Sequence, residues 1–274
     1  MTSPPDSSDL HAFAVSKAAS IPSLSAREPW LVRELWTSNA VGLIAGPPKS
    51  AKTLLALELA VSVASATPCL GRFEVHSKGP VLLYLAEDAL PMTRARLEAI
   101  CEHESLDLEA LDLHFIEAPT LWLDLADDRQ RLQQTIGRFH PSMLILDPLE
   151  RLFRTDDNGP CEVSRLLGYL RGLQRHFELA IAVVQNSLVE PSSSGHDHQP
   201  LVDHALRAWA DSMLVISKHG GLLRLHVDHR FALSPDSVLL ELVPHHDRLG
   251  AHLELESHPA DQEQLTLPLA VVAR

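Results

Sequence analysis

Eight residues, Gly46-Pro47-Pro48-Lys49-Ser50-Ala51-Lys52-Thr53, constrain this chain more than any other stretch. They lie between an apolar run at 41–45 and a segment at 54–65 that places Leu54, Leu57, Val61 and Ala64 on one helical side. Strand, glycine-bearing loop and helix N-terminus in that order make an anion site, because backbone N–H groups and the positive end of the helix dipole converge on it. The pattern is the Walker A form G-x-x-x-x-G-K-[ST] with one departure, Ala51 where the second glycine belongs. Gly46 to Ala51 would cradle the phosphates of a nucleotide. Lys52 would reach the β- and γ-phosphates, and the Thr53 hydroxyl would hold Mg²⁺. A fortuitous Lys-Thr in an ordinary loop would not carry strand, glycine and helix as well. Alanine at 51 is neutral if its backbone is helical and costs about 1 kcal/mol if φ must be positive.

Bulk properties exclude several classes. At 274 residues the chain can bury a substantial core. Its net charge of −13 offers nucleic acid no global attraction, so any DNA contact needs a local basic patch. Three widely spaced cysteines, Cys69, Cys101 and Cys161, form no metal or disulfide pattern and fit a reducing, cytoplasmic setting. The N-terminus shows no basic segment followed by an apolar one, so no secretory leader is expected. The apolar stretch 54–70 contains Glu58 and Pro68 and reads as a core helix, so no membrane partner is expected. Sixteen histidines include the clusters His196-Asp197-His198 and His245-His246-Asp247. Neither has a clear third ligand, and no metal other than Mg²⁺ is expected.

Along the chain, residues 1–28 are rich in Ser, Pro and Ala and read as a flexible arm. Residues 29–245 read as one ATPase domain, and 246–274 as a C-terminal extension. Strands are expected at 41–45, 81–85, 111–116, 143–146 and 179–184, with helices at 54–65, 93–103, 127–139, 161–177 and 202–210 between or after them. Further strands at 213–217, 222–227 and 238–243 follow, two of them joined by the hairpin signal Gly220-Gly221. The alternation predicts an α/β fold: a mainly parallel twisted sheet flanked by helices, with antiparallel strands added near the C-terminus.

Phosphoryl transfer also needs a carboxylate on the metal side and a group that orients water. The apolar run 143–146 delivers Asp147 at a strand end, a Walker B pattern, although an Asp-Pro turn would look the same. Glu87 also follows a strand, where open α/β sheets gather their ligands, and could take a proton from the attacking water. Asp88 suits the cap of the helix that follows.

Together, residues 46–53, Leu83-Tyr84-Leu85-Ala86-Glu87-Asp88, Leu144-Ile145-Leu146-Asp147-Pro148-Leu149 and Asp156-Asp157-Asn158 resemble the RecA-like ATPases of the plasmid RepA helicase type, in the RecA/DnaB superfamily. The resemblance spans about 29–243. It implies a RecA-like core, ATP and Mg²⁺ as ligands, and assembly with itself into a ring, commonly a hexamer, with single-stranded DNA as a further partner. It also implies Glu87 as catalytic base, Gln185 as the sensor of the γ-phosphate, and Arg230 as a finger reaching a neighbouring subunit, with Arg207 as second choice. Asp228 stands where the finger element usually has lysine, and Asn186-Ser187-Leu188-Val189-Glu190 lacks the usual basic residue near the pore loop. The leading expectation is an oligomeric ATPase in DNA replication, repair or mobile-element maintenance, with helicase action as its most specific form. The alternative is a nucleotide-dependent assembly protein with slow hydrolysis and no DNA partner. A small-molecule kinase is disfavoured, because no arginine-rich lid is visible.

Overall fold

The computed structural model describes residues 15–20, 30–154, 160–186, 199–245 and 249–256. In chain order the elements are β1 (Trp30–Val32), β2 (Trp36–Thr37), β3 (Val41–Gly46), α1 (Lys52–Ser65), β4 (Val81–Leu85), α2 (Leu90–His103), β5 (Leu113–Phe115) and α3 (Ala126–Phe139). There follow β6 (Met143–Asp147), α4 (Pro160–Phe177), β7 (Ala180–Asn186), α5 (Gln199–Trp209), β8 (Ser212–His219), β9 (Leu222–His229), β10 (Val238–Pro244) and β11 (Ala251–Leu255). A short 3₁₀ turn, Leu149–Leu152, follows β6. Strands β1 and β2 form a separate antiparallel pair.

The main sheet has nine strands in the order β11-β10-β9-β8-β3-β7-β6-β4-β5. From β8 to β5 the pairings are parallel, and from β8 to β11 they are antiparallel. The expected α/β fold is therefore the fold observed. Strands β3 and β6 are buried along their whole length, which is why they are continuous apolar runs without alternation. In contrast, β9 alternates strictly, with Leu223, Leu225, Val227 and His229 inside and Arg224, His226 and Asp228 outside.

Two cores line the two faces. On one, Leu132 and Ile136 of α3, Leu166, Leu170 and Leu173 of α4, and Leu206 of α5 cover Val41, Leu43, Leu144, Leu146, Ile181 and Val183. On the other, α1 is buried at every residue from 54 to 64, so it carries no polar stripe. Its enclosure comes from β11, which packs against both α1 and α2. The antiparallel end of the sheet thus curls over α1 instead of extending flat. Gly250 permits the contact: a Cβ there would stand 2.7 Å from the Ala95 carbonyl oxygen of α2.

Three details depart from the sequence reading. Strand β11 falls in the segment read as a C-terminal extension, and the β1–β2 pair was not expected. Asp88 does not cap α2; the N-cap is Ala89 with no side-chain cap, and Asp88 instead forms an ion pair with Arg96, nearly two turns into the helix. His196, His198, His246, Asp247 and the Asp156-Asp157-Asn158 motif lie outside the described residues.

Candidate nucleotide site

Parallel pairing brings the C-terminal ends of β3, β4, β6 and β7 to one edge of the sheet, and the loop from Gly46 to Ala51 rises from the middle of it. Gly46 is required by packing. A Cβ there would lie 2.4 Å from the Ile216 backbone oxygen and 2.8 Å from Ser50 Oγ. Beyond Pro47-Pro48, Lys49 and Ala51 both take left-handed angles, with φ of 60° and 62°. Alternating backbone hands of this kind turn successive N–H groups toward a common centre, the geometry of an anion nest. Ala51 is the N-cap of α1 with ψ of 24° and no side-chain cap, so the first-turn N–H groups of α1 have no side chain of the cap to satisfy them. Position 51 therefore needs the positive φ that glycine supplies freely, and alanine takes it under strain.

Lys52 is 7% exposed, and its ammonium donates to the Pro47 carbonyl at 2.7 Å, folded back across the loop. Burial holds its pKa below the ordinary lysine range, while Asp147 and Glu150 act in the opposite direction. The Thr53 hydroxyl donates to Asp147 Oδ2 at 2.6 Å. Burial pushes Asp147 up to about 6, opposed by that Thr53 hydrogen bond and by Lys52, and supported by Asp88 and Glu87. A hydroxyl and a carboxylate at this separation, beside a lysine, are the donor set that hard divalent cations take near phosphates.

Glu87 lies just beyond β4, adjacent to Asp147 through the Leu85–Asp147 pairing. Its side chain is half exposed, and Oε1 accepts from Arg151 Nε at 3.0 Å. Gln185 pairs in register with Ala45, and its Oε1 is buried with no hydrogen-bond partner. Ser50 Oγ is likewise buried and unpartnered. Buried acceptors without partners are uncommon, and two beside one loop fit a site that a polar ligand completes. A magnesium–nucleotide complex fits these residues.

Sequence reasoning missed Glu150. It stands in the turn after β6, where Oε1 accepts the Asn186 N–H at 3.2 Å and Oε2 is buried without a partner. Burial raises its pKa, partly offset by that N–H bond, with Glu87 raising and Lys52 lowering it further. Nothing in its local sequence marks it, since its position depends on β6 and β7 being neighbours.

Arg230 is not brought to this edge. Strand β9 runs antiparallel to β8, so His229 pairs with Ser212 and the chain leaves at the opposite end of the sheet. There the Arg230 N–H donates to the Asp211 carbonyl at 2.9 Å, Nη1 lies 3.4 Å from Asp211 Oδ1, and Nη2 donates to the Ala208 carbonyl. Arg171 grips the same Asp211 carboxylate with both terminal nitrogens. Arg207 lines a small cavity with Gln185, Leu43 and Ala45.

Comparison with known proteins adds independent findings. The sequence profile described as "AAA domain" matches residues 4–187. The chain is 26% identical over 191 residues to the DNA repair and recombination protein RadB of Methanosphaera stadtmanae, covering 63% of this chain and 70% of that one. It is 23% identical over 199 residues to the protein of the same description from Halobacterium salinarum, covering 70% and 78%.

Proposed function

The chain belongs to the AAA domain family, as a P-loop ATPase of RecA-like fold, and from that premise we propose that it hydrolyses MgATP at the 46–53 loop in the service of DNA repair, recombination or mobile-element maintenance. The observation that carries this reading is the convergence of Lys52, Thr53, Asp147 and the unpartnered Gln185 at one edge of the sheet. In this reading Lys52 would leave the Pro47 carbonyl for the phosphates, and Thr53 and Asp147 would hold the metal. Bound Mg²⁺ supplies charge neutralisation across the phosphate oxygens. Glu87 orients the attacking water and accepts its proton once Arg151 releases it, while Gln185 reports on the γ-phosphate. The DNA assignment draws on the relatives, which are described as DNA repair and recombination proteins.

Within the same proposal the ATPase domain, read from sequence as residues 29–245, also takes in β11 (Ala251–Leu255), with the 1–28 arm before it and the rest of the 246–274 extension after it. A ring of copies of this chain, a hexamer of the RepA helicase type, is the assembly that would give Arg230 a role. One subunit's Arg230 edge would then face the next subunit's nucleotide edge. A second reading is favoured by the strain at Ala51 and by the Arg151–Glu87 pair: slow hydrolysis that gates assembly, with no DNA partner.

The deciding experiment is Mg²⁺-dependent ATP turnover with and without single-stranded DNA, beside a Lys52→Ala control. Turnover that rises with DNA and vanishes in the control supports the leading reading. ATP binding with negligible turnover, indifferent to DNA, supports the second. Hydrolysis unchanged in Lys52→Ala removes the site altogether.

A further inference from the structure

At the edge of the sheet, where β11 packs on α1, the last turn of α2 meets that strand. His103 closes α2, and His252 and Glu254 flank Leu253 on the strand. Their ligand atoms lie within 4.8 Å of one another. The two imidazoles stack with ring centroids 4.0 Å apart and planes 20° from parallel. Glu254 Oε1 serves both, at 2.7 Å from His252 Nε2 and 3.5 Å from His103 Nδ1. His252 is only 6% exposed, yet its Nδ1 has no hydrogen-bond partner. A buried imidazole with an unused ring nitrogen, facing a second imidazole and a carboxylate, is poorly explained by packing.

We infer that His103, His252 and Glu254 form a binding site for one divalent transition-metal ion, of the zinc class, that ties β11 to α2. Two imidazoles and a carboxylate are the donor set such ions select, whereas Mg²⁺ prefers an all-oxygen shell. A tetrahedron with bonds of about 2.1 Å has donor–donor edges of about 3.4 Å. The His103–Glu254 separation of 3.5 Å already meets this, the His252–Glu254 contact of 2.7 Å must open by about 0.7 Å, and the two imidazole donors lie within 4.8 Å. The local field favours a cation. His103 sits at the carbonyl end of α2, and its Nε2 lies 3.9 Å from Glu104. Three protein ligands leave a fourth position for water, with His245 at the rim, its ring centroid 6.2 Å from that of His252. The site is separate from the nucleotide edge and stands independently of that reading. Its consequence is mechanical: the ion would hold the edge strand down over the helix that carries Lys52 and Thr53.

The test uses the full chain without an affinity tag, free of nucleotide, titrated with Co²⁺ followed by absorption and with Zn²⁺ followed by calorimetry. The expected result is one equivalent bound with a low-coordinate Co²⁺ spectrum. The Asp147→Asn variant should bind identically. His103→Ala and Glu254→Gln should each bind at least about tenfold more weakly. Both replaced side chains are partly exposed, so folding, checked by circular dichroism, is expected to survive in at least one. Zn²⁺ should also slow limited proteolysis within 249–256 in the wild-type chain and not in these variants. Binding unchanged in both variants would place the ion on other histidines, and absence of stoichiometric uptake would remove the site; either result overturns the inference.

Discussion

Position 51 shows how a single methyl group can be weighed. Its φ of 62° lies where an L-residue loses about 1–2 kcal/mol, and glycine would recover this while giving back about 0.4–1 kcal/mol in unfolded-chain entropy. Ala51→Gly should therefore raise stability by between about 0 and about 1.6 kcal/mol, visible as at most a modest rise in Tm. The sequence alone could mark the departure but not its sign, because φ is a property of the folded loop. The same limit applies to Glu87 and Glu150, two carboxylates that come within reach of each other's charge only because β4 and β6 are neighbours. Glu87→Gln should keep ATP binding and abolish turnover. If turnover persists there and is lost in Glu150→Gln, measured under single-turnover conditions, the base is Glu150.

Among the elements, α1 and β11 form the least expected partnership. Glu58, 3% exposed in the middle of α1, accepts the Leu253 N–H at 2.8 Å. Burial pushes its carboxyl up to about 8 from an ordinary 4.5, with the Leu253 hydrogen bond opposing and Glu104 reinforcing the rise. Between those values the unfolded chain has released a proton that the folded chain keeps, so stability falls as pH rises through this window and levels off above it. Glu58→Gln keeps an acceptor for Leu253 without the titration. Its Tm should match the wild type near pH 4.5 and exceed it increasingly toward pH 8, by a few kcal/mol of stability at the top. A constant difference across that range would mean that Glu58 titrates normally. Strands such as β3 and β6 were legible because burial on both faces forces unbroken apolar runs. Strand β11 was not, since Ala251-His252-Leu253-Glu254-Leu255 is short and its place depends on a carboxyl 195 residues upstream.

For the whole molecule, the separation of Arg230 from the nucleotide edge turns a residue question into one of assembly. Arg230→Ala should leave ATP affinity intact, and if the finger acts between subunits turnover should fall by about a thousandfold or more. Mixing this variant with Glu87→Gln should then restore part of the activity, measured as turnover against mixing ratio. Loss of folding stability without such rescue would assign Arg230 to the Asp211 cluster alone. Among the described residues no helix is long and apolar enough to cross a membrane. The sheet itself has unequal borders. An outermost strand ordinarily offers its free amides as a template on which another chain can continue the sheet. At Leu253 that offer is withdrawn, because a buried side chain from within the same molecule already occupies the amide. Any strand added beside β11 would have to do without the Leu253 amide, so what α1 does at one margin also bears on how the molecule can grow.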